Sequence, residues 1–169
     1  MRPLLSCPLL LFLCPCLFAN DALDLARAFF GPPEKLQSVN SIYYEGKIMN
    51  PSGEGSGTFG LYLKKPFFQR MEIHVGDVIT VTAVNGSEGY RQQSDKITGK
   101  GRLGILHPAQ VDKIIVNTVE NLYFLKGLEI RNGRISFLGK ADFKGQACYK
   151  LKFFYRDNLF YERFVELET

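Results

Sequence analysis

The stretch GTFGLYLKKPFFQRMEIHV, from Gly57 to Val75, carries the pattern that decides the fold. Apolar and polar residues alternate through it, and the alternation is interrupted once, at Lys64-Lys65-Pro66. A period of two is typical of a β-strand with one apolar face, and a proline between two such runs indicates a turn. The stretch therefore predicts two neighbouring strands that carry many large apolar side chains on one face.

The same period recurs through the first half of the chain. It predicts strands near residues 41–49, 57–65, 68–75, 77–84 and 88–93. The glycine-rich segment NPSGEGSG joins the first two of these strands. The segment SDKITGKGRLGILHP that follows the last is expected to form a loop.

Two segments have helical character. The segment DALDLARAFFG predicts a short helix that ends at Gly31-Pro32-Pro33. The segment PAQVDKIIVNTVENLYFLKG predicts the one long helix, which begins at Pro108 and is closed by Lys126-Gly127. Its apolar residues form a single stripe at helical spacing: Val111, Ile114, Ile115, Val119, Leu122 and Leu125.

Strands resume after the long helix. Asn132-Gly133, within EIRNGRISFLG, is a hairpin signal. The last two strands alternate around Asp157-Asn158, and their register is open. A two-residue turn would place Lys152 opposite Arg163, whereas a three-residue turn would place Lys150 opposite Glu166. The second is favoured because like charges are unfavourable across a strand pair. The final strand, 160–167, is expected at the edge of the sheet.

The N-terminus resembles a secretory signal. Arg2 precedes an apolar run from Leu4 to Phe18, which is too short and too rich in proline to span a membrane. We expect cleavage after Ala19, which gives a signal peptide at 1–19 and a single domain at 20–169. Lipidation at Cys14 or Cys16 is the disfavoured alternative, because small residues do not precede either cysteine. Cleavage would leave only Cys148, and hence no internal disulfide.

Composition and motifs argue against nucleic-acid binding and against catalysis. The 169-residue chain has a net charge of +4 and no run of Lys and Arg. Two segments, GSGTFG and GKGRLG, match a dinucleotide-binding pattern, but neither follows a strand and opens a helix. His74 and His107 have no second ligand at metal-binding spacing. We therefore expect no catalytic residues, no metal and no cofactor.

The dominant feature that remains is the apolar face of the strands. The fold class is predicted as α+β, with an antiparallel sheet covered by two helices. The long helix would be ~28 Å long and ~10 Å wide, whereas eight strands at ~4.8 Å spacing would span ~40 Å if flat. The sheet must therefore curl, and it is expected to leave an apolar hollow. Taken singly, each apolar residue is better explained as core. Taken together, they predict a ligand-binding cavity lined by Phe59, Leu61, Leu63, Met71, Ile73, Ile79, Val81, Tyr149, Leu151 and Phe153.

Four features give the chain a resemblance to a known family. They are the order of signal, short helix and glycine-rich hairpin loop; the segment GTFGLYLKKPFFQRMEI; the turn AVNGSEGY; and the late segment GKADFKGQACYKLKFFYRDNLFYERFVELET. With these features the chain resembles the LolA-like family of outer-membrane lipoprotein-sorting proteins. The late segment is similar to the uncharacterised branch of that family.

The resemblance implies an open antiparallel β half-barrel whose concave apolar face is covered by the long helix and the short N-terminal helix. It implies a periplasmic carrier of lipid or lipoprotein acyl chains, with membrane-bound donor and acceptor proteins as further partners. It also implies a contact between the helical lid and Lys65, at a position where the transporters carry arginine. The alternative implied function is a non-enzymatic envelope module for protein interaction or sensing, which would use the same sheet.

Overall fold

The computed structural model describes residues 15–49, 56–156 and 158–166, with side chains from residue 21 onward. These residues form antiparallel sheets and a few helices, so the predicted α+β class is confirmed. The prediction of one continuous sheet is wrong, because the strands divide into a six-stranded and a three-stranded sheet.

The first sheet is a meander in which each strand pairs with the next one along the chain. Its strands are β1 (Ser41–Met49), β2 (Ser56–Lys64), β3 (Phe68–Val75), β4 (Val78–Asn85), β5 (Glu88–Asp95) and β6 (Gly101–Ile105). The second sheet has the order β7 (Arg134–Phe143), β8 (Gln146–Arg156) and β9 (Leu159–Glu166). The chain leaves β6 through helices, and β7 then pairs forward with β8. Because β7 pairs with none of the strands β1 to β6, the described strands form two sheets.

The helices are α1 (Pro15–Phe30), α2 (Pro33–Ser38), α3 (Pro108–Leu122) and α4 (Gly127–Ile130). Within the described residues, no helix is long and apolar enough to cross a membrane. Helix α1 includes both sides of the predicted cleavage site after Ala19. Cleavage there stays a prediction, and most of the predicted signal, residues 1–14, lies outside the described residues.

Helix α3 lies across one face of the first sheet. His107 caps its start: Nδ1 accepts a hydrogen bond from Ala109 N at 3.3 Å, while Gln110 Oε1 accepts from His107 N at 3.0 Å. The apolar side of α3 packs on Val84 and Leu106 through Val111, Ile115 and Val119. A buried hydrogen bond also joins the helix to β3, with Thr118 Oγ1 2.9 Å from Gln69 Oε1.

The second sheet has its own core. Leu151 and Phe153, on the central strand β8, are 0% and 1% exposed. They pack against Ala22 and Leu23 of α1 and Leu128 of α4. The two cores are therefore separate: α3 covers the first sheet, and α1 and α4 cover the second.

Two predicted boundaries are wrong. The expected loop at 94–108 contains strand β6, whose residues are all exposed and include two glycines, so no burial period revealed it. The long helix ends at Leu122 and does not extend to Lys126. Phe124 and Leu125 have φ of 48° and 67°, and this left-handed backbone cannot continue a right-handed helix.

The predicted hairpin at Asn132-Gly133 is also wrong. Asn132 has a φ of 52°, and Gly133 N donates to Leu128 O at 2.7 Å, so the pair ends α4. Asn and Gly both reach the left-handed region, which helix ends and hairpin turns share. The hairpin in this region is at Lys144 and Gly145, which have φ of 55° and 83° and join β7 to β8.

Neither predicted register of the last strand pair is observed. Arg156 lies opposite Leu159, but an irregularity between Phe154 and Arg156 shifts the pairing by one residue. Lys152 is consequently opposite Glu162, which also pairs with Lys150 at a distance of 2.9 Å. The predicted edge position is confirmed, because β9 pairs with β8 alone among the described strands.

The second core should respond strongly to truncation. We expect Leu151→Ala to lower the free energy of unfolding by about 2–5 kcal/mol, because it leaves a cavity beneath α1. Met49→Ala, at a residue that is 81% exposed, should change it by less than about 0.5 kcal/mol. Urea unfolding followed by circular dichroism measures both. Equal effects of the two substitutions would mean that Leu151 is not buried in a core.

Candidate functional site

The residues predicted to line one cavity lie on three different surfaces. The largest group shares the face of the first sheet on which α3 packs: Phe59, Leu61, Leu63, Met71 and Ile73. Ile79 and Val81 lie on the opposite face, because Ile79 pairs with His74 and Val81 pairs with Glu72. The prediction that Ile79 and Val81 share a face with Met71 and Ile73 is therefore wrong. The tight turn after Val75 puts Thr80 and Thr82 on the α3 side in their place.

The remaining predicted residues belong to the second sheet. Leu151 and Phe153 are core residues under α1, and Tyr149 packs at the margin of the same core. The structure does not bring them together with the residues of the first sheet. Ligand binding by any of these residues stays a prediction.

A cleft of about 580 Å³ lies between α1, α2 and the segment that follows α3. We call it the helical cleft. Its apolar walls are Leu36, Leu122, Tyr123 and Phe124, and its charged residues are Asp24, Arg27, Lys65 and Lys126. A cleft of this size with mostly apolar walls and a few polar groups is the usual form of a small-molecule site.

Lys65 connects the first sheet to the helices at this cleft. Its Nζ donates to the carbonyl oxygen of Gln37 in α2 at 3.2 Å. The same ammonium lies 5.0 Å from the centroid of the Tyr123 ring, which is within cation–π range. The basic residue before Pro66 therefore contacts α2 and the end of α3. Its role as a lid contact stays a prediction.

The backbone reversal after α3 places Phe124 in the wall of the helical cleft. Left-handed φ values at Phe124 and Leu125 cost free energy for residues with a side chain. Hydrogen bonds fix this reversal, because Leu125 N donates to Glu120 O at 3.2 Å and Leu125 O accepts from Arg27 at 3.1 Å. The Phe124 ring is held 5.6 Å from that of Phe30. Helical periodicity predicts that Phe124 and Leu125 continue the long helix. The spacing of apolar residues does not reveal a left-handed φ, so the sequence gives no sign of the reversal.

A second, smaller cleft of about 320 Å³ lies on the other side of α1. Leu25, Phe29 and Phe30 face solvent there and are 42%, 80% and 50% exposed. Phe164 and Val165 of β9 form the opposite wall. Helix α1 therefore separates two clefts with apolar walls.

Helix α3 carries a buried carboxylate close to Arg27 and Arg163, which line these two clefts. Glu120 of α3 is 4% exposed, and neither of its oxygens accepts a hydrogen bond from a described residue. Its nearest cation is Arg163 of β9, 3.7 Å away, and Arg27 of α1 adds a weaker attraction. Burial outweighs both cations and raises the pKa of Glu120 to about 7.

The stability of the protein should depend on this carboxylate. Because the pKa is raised on folding, the folded state holds the proton more tightly than the unfolded chain. The contribution of Glu120 to the free energy of unfolding should therefore fall, by about 3 kcal/mol in all, as the pH rises from about 4.5 through about 7.

The Glu120→Gln variant removes this dependence. We expect it to be about 1–3 kcal/mol more stable than the parent at pH 8 and similar to it at pH 4. Glu129→Gln, at an exposed side chain paired with Arg27, should show no such difference between these pH values. Urea titrations at both pH values measure the effect, and an unchanged pH profile in Glu120→Gln would contradict it.

A cleft of about 1000 Å³ lies at one end of the first sheet, and its walls include Leu106 and Pro108 beside α3 as well as residues of the opposite face. We call the face of the first sheet opposite α3 the open face. Tyr43 and Tyr62 are stacked there with ring centroids 4.4 Å apart, and both are about half exposed. Phe68, Tyr90 and Ile105 continue the apolar surface. The alternation in β1 and β2 could have revealed this face, because Tyr62 alternates with Leu61 and Leu63 and pairs with Tyr43.

No family model, curated protein or solved structure matches the chain. In the described part of the chain, no group of three or more His, Cys, Asp or Glu could hold a metal ion. A functional assignment therefore depends on the clefts themselves and on the resemblance of the sequence motifs.

Proposed function

We propose that this protein is a carrier in the bacterial cell envelope that binds acyl chains of a lipid or lipoprotein in the helical cleft. The observation that carries the proposal is the combination of apolar walls with a rim of cations in one cleft of suitable size. Apolar walls favour an acyl chain by removing its surface from water.

The rim favours an acidic headgroup. Arg27, Lys65 and Lys126 oppose a single carboxylate, Asp24. Arg27 is already paired with Asp24 and Glu129, whereas Lys65 uses one donor on the Gln37 carbonyl and Lys126 is exposed. An ammonium has three donors, so Lys65 retains donors for a carboxylate or phosphate. The ligand we expect therefore has both an acyl chain and a negative charge.

The LolA-like resemblance agrees with this function. We infer that the first sheet and α3 correspond to the half-barrel and its covering helix. Six antiparallel strands in chain order with α3 across one face support this inference, as does the contact of Lys65 with α2. Export after cleavage at Ala19, a periplasmic location, and membrane-bound donor and acceptor proteins complete the proposal.

A second candidate is a non-enzymatic envelope module for protein interaction or sensing. The open face favours it, because Tyr43, Tyr62, Phe68 and Ile105 are all exposed around the cleft of about 1000 Å³. Exposed contiguous apolar surface is typical of interaction sites. This candidate places the ligand on the sheet, on the side away from the helices.

A pair of matched substitutions tests the carrier. Leu36→Asp puts a charge into the helical cleft on a short helix that has no buried residues, so the fold should survive. We expect it to weaken binding of a fluorescent fatty acid at least about tenfold, because it places a charge against the acyl chain. Leu103→Asp, at a residue that is 67% exposed on β6, should leave the affinity unchanged.

A third substitution separates the two candidates. Tyr62→Asp changes the open face and should not affect the fatty acid. If Leu36→Asp binds the probe as well as the parent does, the helical cleft is not the site. If Tyr62→Asp alone weakens binding, the ligand lies on the open face.

A further inference from the structure

The solvent-facing side of the second sheet carries phenylalanines and cations in alternation. Register places its strand residues on the side of the sheet opposite to Leu151 and Phe153, and Lys144 lies in the turn between β7 and β8. The phenylalanines are Phe143, Phe154, Phe160 and Phe164. The cations are Arg134, Lys144, Lys150 and Lys152. We call this surface the Phe–cation face.

Each ring on this face has a cation beside it. Lys152 Nζ lies 3.9 Å from the Phe160 centroid and 5.0 Å from that of Phe154. The Arg134 guanidinium is 4.7 Å from the Phe154 centroid. A cation held at such distances is attracted by the ring quadrupole. The positive charges of this face are therefore positioned next to its apolar groups.

The other two rings form a stacked pair, Phe143 and Phe164, with centroids 4.6 Å apart and planes 17° apart. Lys144 Nζ and Lys150 Nζ lie 5.5 Å and 5.6 Å from the centroids of these two rings. The ring faces are thus occupied by another ring or by an ammonium. Nucleic-acid bases bind by stacking on free ring faces, and this arrangement does not favour them.

Charge on the face is positive on balance. Four cations face two carboxylates, Glu162 and Glu166, and Glu162 is already paired with Lys150 at 2.9 Å. Phe143, Phe160 and Phe164 are 42%, 46% and 36% exposed, so apolar surface is available between the cations. Lys and Arg beside exposed Phe are the groups that bind the interface of a negatively charged bilayer.

We propose that the Phe–cation face docks the protein on a bilayer surface that contains anionic phospholipid. The cations contact lipid phosphates, and the phenylalanine rings enter the boundary between headgroups and acyl chains. This proposal does not rest on acyl-chain binding in the helical cleft, because the two sites share none of their residues.

Vesicle co-sedimentation tests the proposal. The protein should bind vesicles of phosphatidylcholine mixed with phosphatidylglycerol and should not bind pure phosphatidylcholine. Binding should fall as salt is added, because salt screens the attraction between the cations and the phosphates.

Paired charge variants identify the surface. Lys150→Gln with Lys152→Gln should weaken binding to the mixed vesicles by roughly tenfold or more. Lys100→Gln with Lys113→Gln removes the same charge from exposed positions elsewhere and should change it less than about twofold. Phe160→Gln keeps the charge and should also weaken binding, which serves as an independent variant if the double variant fails to fold.

Three outcomes would overturn the proposal. They are equal binding to both vesicle types, equal loss in the two double variants, and binding of a single-stranded oligonucleotide without binding of the mixed vesicles.

Discussion

Directly after α3 the backbone reverses through two residues with left-handed φ, Phe124 and Leu125, and the surrounding structure depends on this reversal. Such a conformation costs about 1–3 kcal/mol per residue and persists only where neighbouring contacts hold it. Here the Leu125 carbonyl accepts from Arg27 of α1, and the Leu125 side chain packs against the core of the second sheet. Phe124 lines the helical cleft. One turn of the chain thus ends α3, forms a wall of the cleft and directs the chain into the second sheet.

Ion pairs connect the two cores through α3. Asp112, near the start of the helix, binds Arg156 of β8 at 2.6 Å and Arg131 at 3.7 Å. Glu120, further along, faces Arg163 of β9. Apolar packing holds each sheet to its own helices, whereas charge links α3 to the second sheet. A buried carboxylate without a hydrogen bond is a weak support, and the raised pKa of Glu120 makes this contact depend on pH.

Period-two alternation predicted β1 to β5 within a residue or two, and in β1 to β4 one side of the strand is more buried than the other. It failed for β6, whose residues are all exposed. It also failed at Asn132-Gly133, because the same two residues can form a hairpin turn or end a helix. The face of Ile79 and Val81 depends on the tight turn after Val75. The register of β9 depends on an irregularity near Tyr155. Each of these features shifts a strand by one residue. The resemblance implied that Lys65 contacts the helical lid, and Lys65 Nζ donates to the carbonyl oxygen of Gln37 in α2. Arg27, Leu36 and Phe124 were missed as cleft residues, because only the folded chain brings them together.

The central claim is that the helical cleft holds an acyl chain. Mass spectrometry of solvent extracts from protein purified out of the envelope fraction tests it most directly, with Leu36→Asp protein as the reference. The account predicts an acyl-bearing, negatively charged lipid in near-stoichiometric amount with the parent protein and a strong reduction with the variant. Equal amounts from the two proteins, or no acyl-bearing lipid from either, would contradict it.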